Sequence, residues 1–131
     1  MKSETSFELD GDLIVVDAVV IGPSARAEVR LVLDTGAVLT TLVPSVAESI
    51  GFTSSDRVAW SVTRTAAANE RGYIIQLAQI TTLGFTVPDL HAVIADLGYG
   101  IDGVIGMNFL SDFNFEVRPA ERRILVESIA P

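Results

Sequence analysis

At 131 residues the chain is bounded to one domain, 1–131, with a small core and a high surface fraction. Hydrophobic residues make up 49% but aromatics only 7%, so the chain either packs a dense aliphatic core or covers apolar surface with a partner. A net charge of −8 leaves no basic stripe for phosphates and argues against a nucleic-acid partner, and the lack of cysteine excludes disulfides, thiol catalysis and zinc–thiolate sites.

β signals dominate from the first residues onward. Residues 1–6 are short and polar rather than signal-like, and no apolar run reaches transmembrane length, so no membrane insertion and a cytoplasmic location are expected. Residues 7–9 read as a short strand closed by Asp10-Gly11. The acids Glu4, Glu8, Asp10, Asp12 and Asp17 crowd this end against Lys2 alone, as a solvated, solubilising edge. Residues 13–21 are a long apolar run, and Gly22-Pro23-Ser24 makes the turn after it. Residues 25–33 then alternate, with Arg26, Glu28 and Arg30 on one face and Ala27, Val29, Leu31 and Leu33 on the other. This hairpin delivers Asp34. Residues 39–43 return as a strand, and 44–50 form a two-turn helix with Pro44 at its first position and Gly51 beyond its end.

A second hairpin spans about 62–77, with the small, polar tip Thr65-Ala66-Ala67-Ala68-Asn69 and Gly72 as a possible hinge. Trp60 reads as a packing anchor at its base. Residues 76–83 and 85–96 form a third hairpin around Gly84, in which Pro88 calls for an edge or a bulge. His91, the single histidine, has no ligand partner at useful spacing and reads as structural; neither a metal site nor a cofactor is expected. Residues 106–112 make a short helix, and 113–118 pairs with 123–128. Each half of the chain thus runs hairpin, loop, strand, helix, a faint internal duplication. The fold class is all-β with one or two short helices.

Two motifs carry chemistry. Asp34-Thr35-Gly36-Ala37 closes an apolar strand, which places a carboxylate at a partly dry strand end where its acidity can be tuned. Thr35 offers a hydroxyl to neighbouring backbone or a symmetry mate, and Gly36 admits a substrate backbone. Alone, an Asp-x-Gly string is most often a turn. The second motif, Asp102-Gly103-Val104-Ile105-Gly106-Met107-Asn108-Phe109-Leu110, reads as a buried strand followed by a short helix.

In this order and spacing the two motifs resemble the retroviral-type aspartic proteases (retropepsins) and their cellular single-domain relatives, over residues 13–126. The resemblance implies a half-barrel acid-protease fold that forms a twofold homodimer. It implies Asp34 as the catalytic residue, supported by Thr35, Gly36 and Ala37 and by Val104, Ile105 and Gly106 behind the loop. It implies that the 62–77 hairpin is a flap over a peptide or protein substrate, with Thr65, Ala66, Ala67, Ala68 and Asn69 at its tip. Water attack on a peptide carbonyl needs two carboxylates, one accepting a proton and one donating. One chain supplies a single Asp-Thr-Gly, and Asp96, Asp102 and Asp112 lack that context, so the second carboxylate comes from another copy. Retroviral enzymes carry an acid after the first motif and an arginine after the second-motif glycine. Here Val38 and Met107 stand there, an ion pair exchanged for an apolar contact. A catalytically idle peptide binder and a pure dimerisation module are the rival readings, and the intact Asp34-Thr35-Gly36 favours the endopeptidase.

Overall fold

The computed structural model describes residues 1–64, 69–98 and 100–129. In chain order β1 (Lys2–Ser6) and β2 (Glu8–Asp10) precede a hairpin of β3 (Leu13–Ile21) and β4 (Arg26–Leu33). Next come β5 (Thr40–Leu42), α1 (Pro44–Ser49), a 3-10 turn (Ser54–Asp56), β6 (Ala59–Arg64), β7 (Asn69–Thr82) and β8 (Phe85–Ile94). The chain closes with β9 (Gly103–Ile105), α2 (Met107–Leu110), β10 (Phe113–Arg118), a 3-10 turn (Pro119–Glu121) and β11 (Arg123–Ser128). Among the described residues no helix is long and apolar enough to cross a membrane.

Local sequence accounts for most of these elements. On β4 the charged residues Arg26, Glu28 and Arg30 stay exposed while Val29 and Leu31 are buried, as strict alternation requires. The alternation stops at Val32, which is buried too, because a second small cluster of Val15, Val32, Ile101 and Val104 covers the opposite face there. Pro44 opens α1, whose Val46 and Ala47 face the core. The β7–β8 hairpin turns on Leu83 and Gly84, both with positive φ (56° and 85°), the requirement of a tight two-residue turn that matches strand twist. Pro88 pairs with Gln79 on the stretch of β8 that only β7 flanks, the edge setting in which a proline is tolerated.

Three sequence expectations are corrected. The N-terminal strand is two strands: β1 joins the terminal sheet β1-β11-β10, and Phe7 is buried between β1 and β2 with its N–H on the Arg122 carbonyl at 2.9 Å. The second and third hairpins share one 14-residue strand, β7, because no glycine or proline interrupts the chain from Tyr73 to Thr82. Trp60 is 54% exposed rather than an anchor. It lies on edge strand β6, where Val62 is exposed as well, as is Val58 just before the strand, and the Arg57 guanidinium stacks 4.3 Å from its ring centroid. Glu4 and Glu8 of the acidic end pair with Arg123 and Arg30 on the surface, where such pairs contribute little.

The large sheet runs β2-β3-β4-β9-β5-β8-β7-β6, and a further pairing of β3 with β7 closes β3, β4, β9, β5, β8 and β7 into a ring. Leu31, Leu42, Ile75, Leu77, Ile80 and Ile105 fill it, all fully buried. β9 inserts between β4 and β5, parallel to the first and antiparallel to the second. β5 likewise runs parallel to β8. The internal duplication is therefore real in space: the third strand of each half pairs in parallel with the last hairpin strand of the other.

Candidate active site

β4 ends at Leu33, and the loop that follows hangs on β9. The Asp34 N–H donates to the Ile105 carbonyl at 3.1 Å, continuing the parallel ladder by one residue. The Asp34 Oδ1 accepts the Gly36 N–H at 2.8 Å, and the Ala37 N–H donates to the Asp34 carbonyl at 3.3 Å. The carboxylate thus caps its own turn, a local bond that short acidic side chains make readily. A Cβ on Gly36 would lie 3.1 Å from Asp34 Oδ1, so glycine leaves that oxygen uncrowded.

The far side of the loop is held by the second motif. Met107 N–H donates to the Ala37 carbonyl at 2.7 Å and Asn108 N–H to the Val38 carbonyl at 3.1 Å. Val104, Ile105 and Gly106 are buried directly behind, with Ala37 and Leu97 packed on the cluster that contains Val104. A Cβ at Gly106 would meet the Leu39 carbonyl at 2.7 Å and the Ala37 oxygen at 2.9 Å. The two motifs are thereby brought together as the sequence predicts.

Asp34, Thr35 and Gly36 are all exposed in the single chain. The partly dry strand end expected from sequence is not present in one copy, because among the described residues none covers the loop. Among the described residues the Thr35 hydroxyl has no hydrogen-bond partner. Val38 is 78% exposed, while Met107 packs on the main core, and backbone bonds link their segments.

The duplication assigns an equivalent to Asp34 in the second half. Ala95 N–H donates to the Leu42 carbonyl at 3.2 Å, as Asp34 N–H does to Ile105. The equivalent position is thus an alanine. Asp96 stands one residue further and accepts the Gly98 N–H at 3.0 Å.

The arms of the second hairpin pair from Ala59↔Ile74 to Arg64↔Asn69. Thr65, Ala66, Ala67 and Ala68 lie outside the described residues, and Asn69 opens β7. Gly72, read as a hinge, is buried within β7 opposite Ser61. Beside Trp60, burial raises the Tyr73 phenol pKa, with Glu48 and Asp56 adding to the shift. His91 is exposed, and its carbonyl accepts the Asn108 Nδ2 at 2.7 Å.

Sequence reasoning missed Thr40 and the role of Asn108. Thr40 is fully buried, and its hydroxyl and N–H both donate to Asn108 Oδ1 at 2.9 Å. The asparagine was visible within the second motif, but its partners are far away in sequence.

Residues 15–109 match the Aspartyl protease family. No curated protein matches in sequence. Among solved structures the fold is similar to a retropepsin-like aspartic protease from Rickettsia conorii, with a TM-score of 0.75 and 18% identity, covering 98% of this chain and 92% of that one. With the Asp34 loop, the β9 insertion and the family match in agreement, the chain belongs to the aspartyl protease family and has the retropepsin-like fold.

Proposed function

We propose that the chain is an aspartic endopeptidase that acts as a twofold homodimer, with one Asp34 from each copy. The observation that carries this reading is the single exposed Asp34 loop, paired with an alanine at the equivalent position of the second half. One chain holds one carboxylate at this geometry, and the chemistry needs two. Two carboxylates about 3 Å apart cannot both ionise and share one proton, the established behaviour of aspartic proteases. The ionised one takes a proton from water as it attacks the peptide carbonyl. The protonated one donates to the carbonyl oxygen. The Thr35 hydroxyl, without a partner among the described residues, is free to bond across the axis. The test is hydrolysis of a diverse peptide pool between about pH 4 and about pH 7, with and without a statine-type inhibitor. Hydrolysis that the inhibitor blocks supports the reading; no hydrolysis at any pH sinks it.

Dimerisation supplies the cover that the loop lacks. Val38, exposed beside Asp34, is placed to enter the contact. Specific activity is expected to rise with protein concentration, with a total interface of at least about 1,200 Å². Val38→Asp should change monomer stability by no more than about 0.5 kcal/mol, since the side chain is exposed. It should raise the dimer dissociation constant at least about tenfold, because it sets two like charges into one contact. Sedimentation at several concentrations measures both effects, and an active monomer throughout would refute the dimer.

The β6–β7 hairpin is the element we assign to substrate cover. An extended substrate beneath it would gain backbone hydrogen bonds, as in strand addition. Amide exchange at Val62 and Arg71 is expected to slow when the inhibitor binds. Equal exchange in both states during full inhibition would mean that another loop covers the site.

A further inference from the structure

Asn108 is the part of the second motif to which the proposed chemistry assigns no task, yet its side chain makes three hydrogen bonds. Oδ1 accepts from the Thr40 N–H and the Thr40 hydroxyl, each at 2.9 Å. Nδ2 donates to the His91 carbonyl at 2.7 Å. The Thr40 hydroxyl in turn accepts the Gly106 N–H at 3.1 Å. These partners define which end of the amide is oxygen: two donors face Oδ1, and a carbonyl faces Nδ2. One side chain thus ties the first turn of α2 to the start of β5 and to β8.

That turn is what the Asp34 loop rests on. The Ala37 and Val38 carbonyls accept from the N–H groups of Met107 and Asn108 themselves. A shift of the α2 turn therefore carries the loop with it. Thr40, where the loop re-enters the sheet, is held by the same amide. In a twofold dimer the error would enter twice, once from each loop. Misplacement of reacting groups by about 1 Å is enough to lower rates about a hundredfold.

Resting on the proposed role of Asp34, we infer that Asn108, with Thr40 as its relay, is a positioning residue that sets the height and tilt of the Asp34 loop for catalysis. It does not touch substrate. Its loss slows turnover by letting the loop move, over and above any effect on folding.

The test compares wild type with Asn108→Ala, Asn108→Asp and Thr40→Val at concentrations where sedimentation shows equal dimer. Asn108→Ala is expected to lower kcat at least about thirtyfold with KM changed less than about threefold. Asn108→Asp keeps an acceptor toward Thr40. Ionised, it sets its second oxygen against the His91 carbonyl; protonated, it donates there as the amide does. Its kcat relative to wild type should therefore rise at least about tenfold from about pH 7 to about pH 4, while the ratio for Asn108→Ala stays flat. Amide exchange needs no substrate. At Ala37 and Met107 it should accelerate at least about tenfold in Asn108→Ala, with Val16 and Leu31 in the barrel unchanged.

Dimers of Asn108→Ala with wild-type kcat and wild-type exchange at those two amides overturn the inference. So does faster exchange spread evenly over the barrel with a flat pH ratio for Asn108→Asp, the pattern of a purely structural residue. If Asn108→Ala does not fold, Thr40→Val decides on the same kcat and exchange criteria, since it removes the hydroxyl and keeps the volume. If wild type cleaves no peptide at all, the reading of Asp34 falls, and exchange at Ala37 and Met107 alone decides whether Asn108 holds the loop.

Discussion

Asp34→Asn is expected to leave a folded dimer with at most about a thousandth of wild-type turnover. General acid–base groups contribute about 10²–10⁴ each, and in a homodimer one substitution removes both carboxylates. A thousandfold loss corresponds to about 4 kcal/mol of transition-state stabilisation. The loop should survive the change. The Asp34 Oδ1 that accepts the Gly36 N–H at 2.8 Å has a direct counterpart in the amide oxygen. What the amide cannot do is take a proton from water. Steady-state kinetics at matched dimer concentration measure the effect. Mixing adds a second check: with about a ninefold excess of Asp34→Asn, activity per wild-type chain should fall to about a tenth, because most wild-type chains then sit opposite an inactive copy. Equal cleavage by wild type and Asp34→Asn would show that Asp34 is not the proton-transfer group.

Gly106→Ala is expected to cost about 3 kcal/mol of stability and most of the activity. A Cβ there would stand 2.7 Å from the carbon and the oxygen of the Leu39 carbonyl and 2.9 Å from the Ala37 oxygen. All three atoms are backbone, so no side chain can rotate away. Overpacking of this kind typically costs 1–3 kcal/mol, and rigid neighbours put this site at the upper end. For a chain of this size the midpoint should fall by roughly 10 °C. The displaced residues belong to the Asp34 loop, so kcat should fall in the protein that still folds. Thermal unfolding at fixed protein concentration is the measurement, because dimerisation makes the midpoint concentration-dependent. A midpoint within about 2 °C of wild type would mean that the loop yields easily and that Gly106 is not a constraint on it.

Period-two alternation made β4 legible almost to the residue, because its charged face meets water and its apolar face the core; β3 was legible as a long apolar run, and β10 and β11 as a pair of short strands. α1 was legible from Pro44, and the β7–β8 turn from Gly84. The Asp34 and Gly106 segments were legible as motifs, since each needs particular residue types in consecutive positions. Trp60 was misplaced because size and apolarity suggest burial, while an edge strand standing out from the core has little to bury it against.

Local sequence set most of the strands, the short helices, the presence of one Asp-Thr-Gly and hence the family resemblance, because each of these depends on neighbours a few residues away; β1, a polar strand, and the full length of β7 escaped it. Only the tertiary structure decided that β9 threads between β4 and β5, that β3 and β7 close the ring, and that Ala95 stands where a second aspartate would have to be. It also decided that Thr40 and Asn108 meet across 68 residues of chain. Strand partners and buried hydrogen bonds are chosen by distant segments that compete for the same backbone groups, and a pattern of local periodicity contains no record of which segment wins.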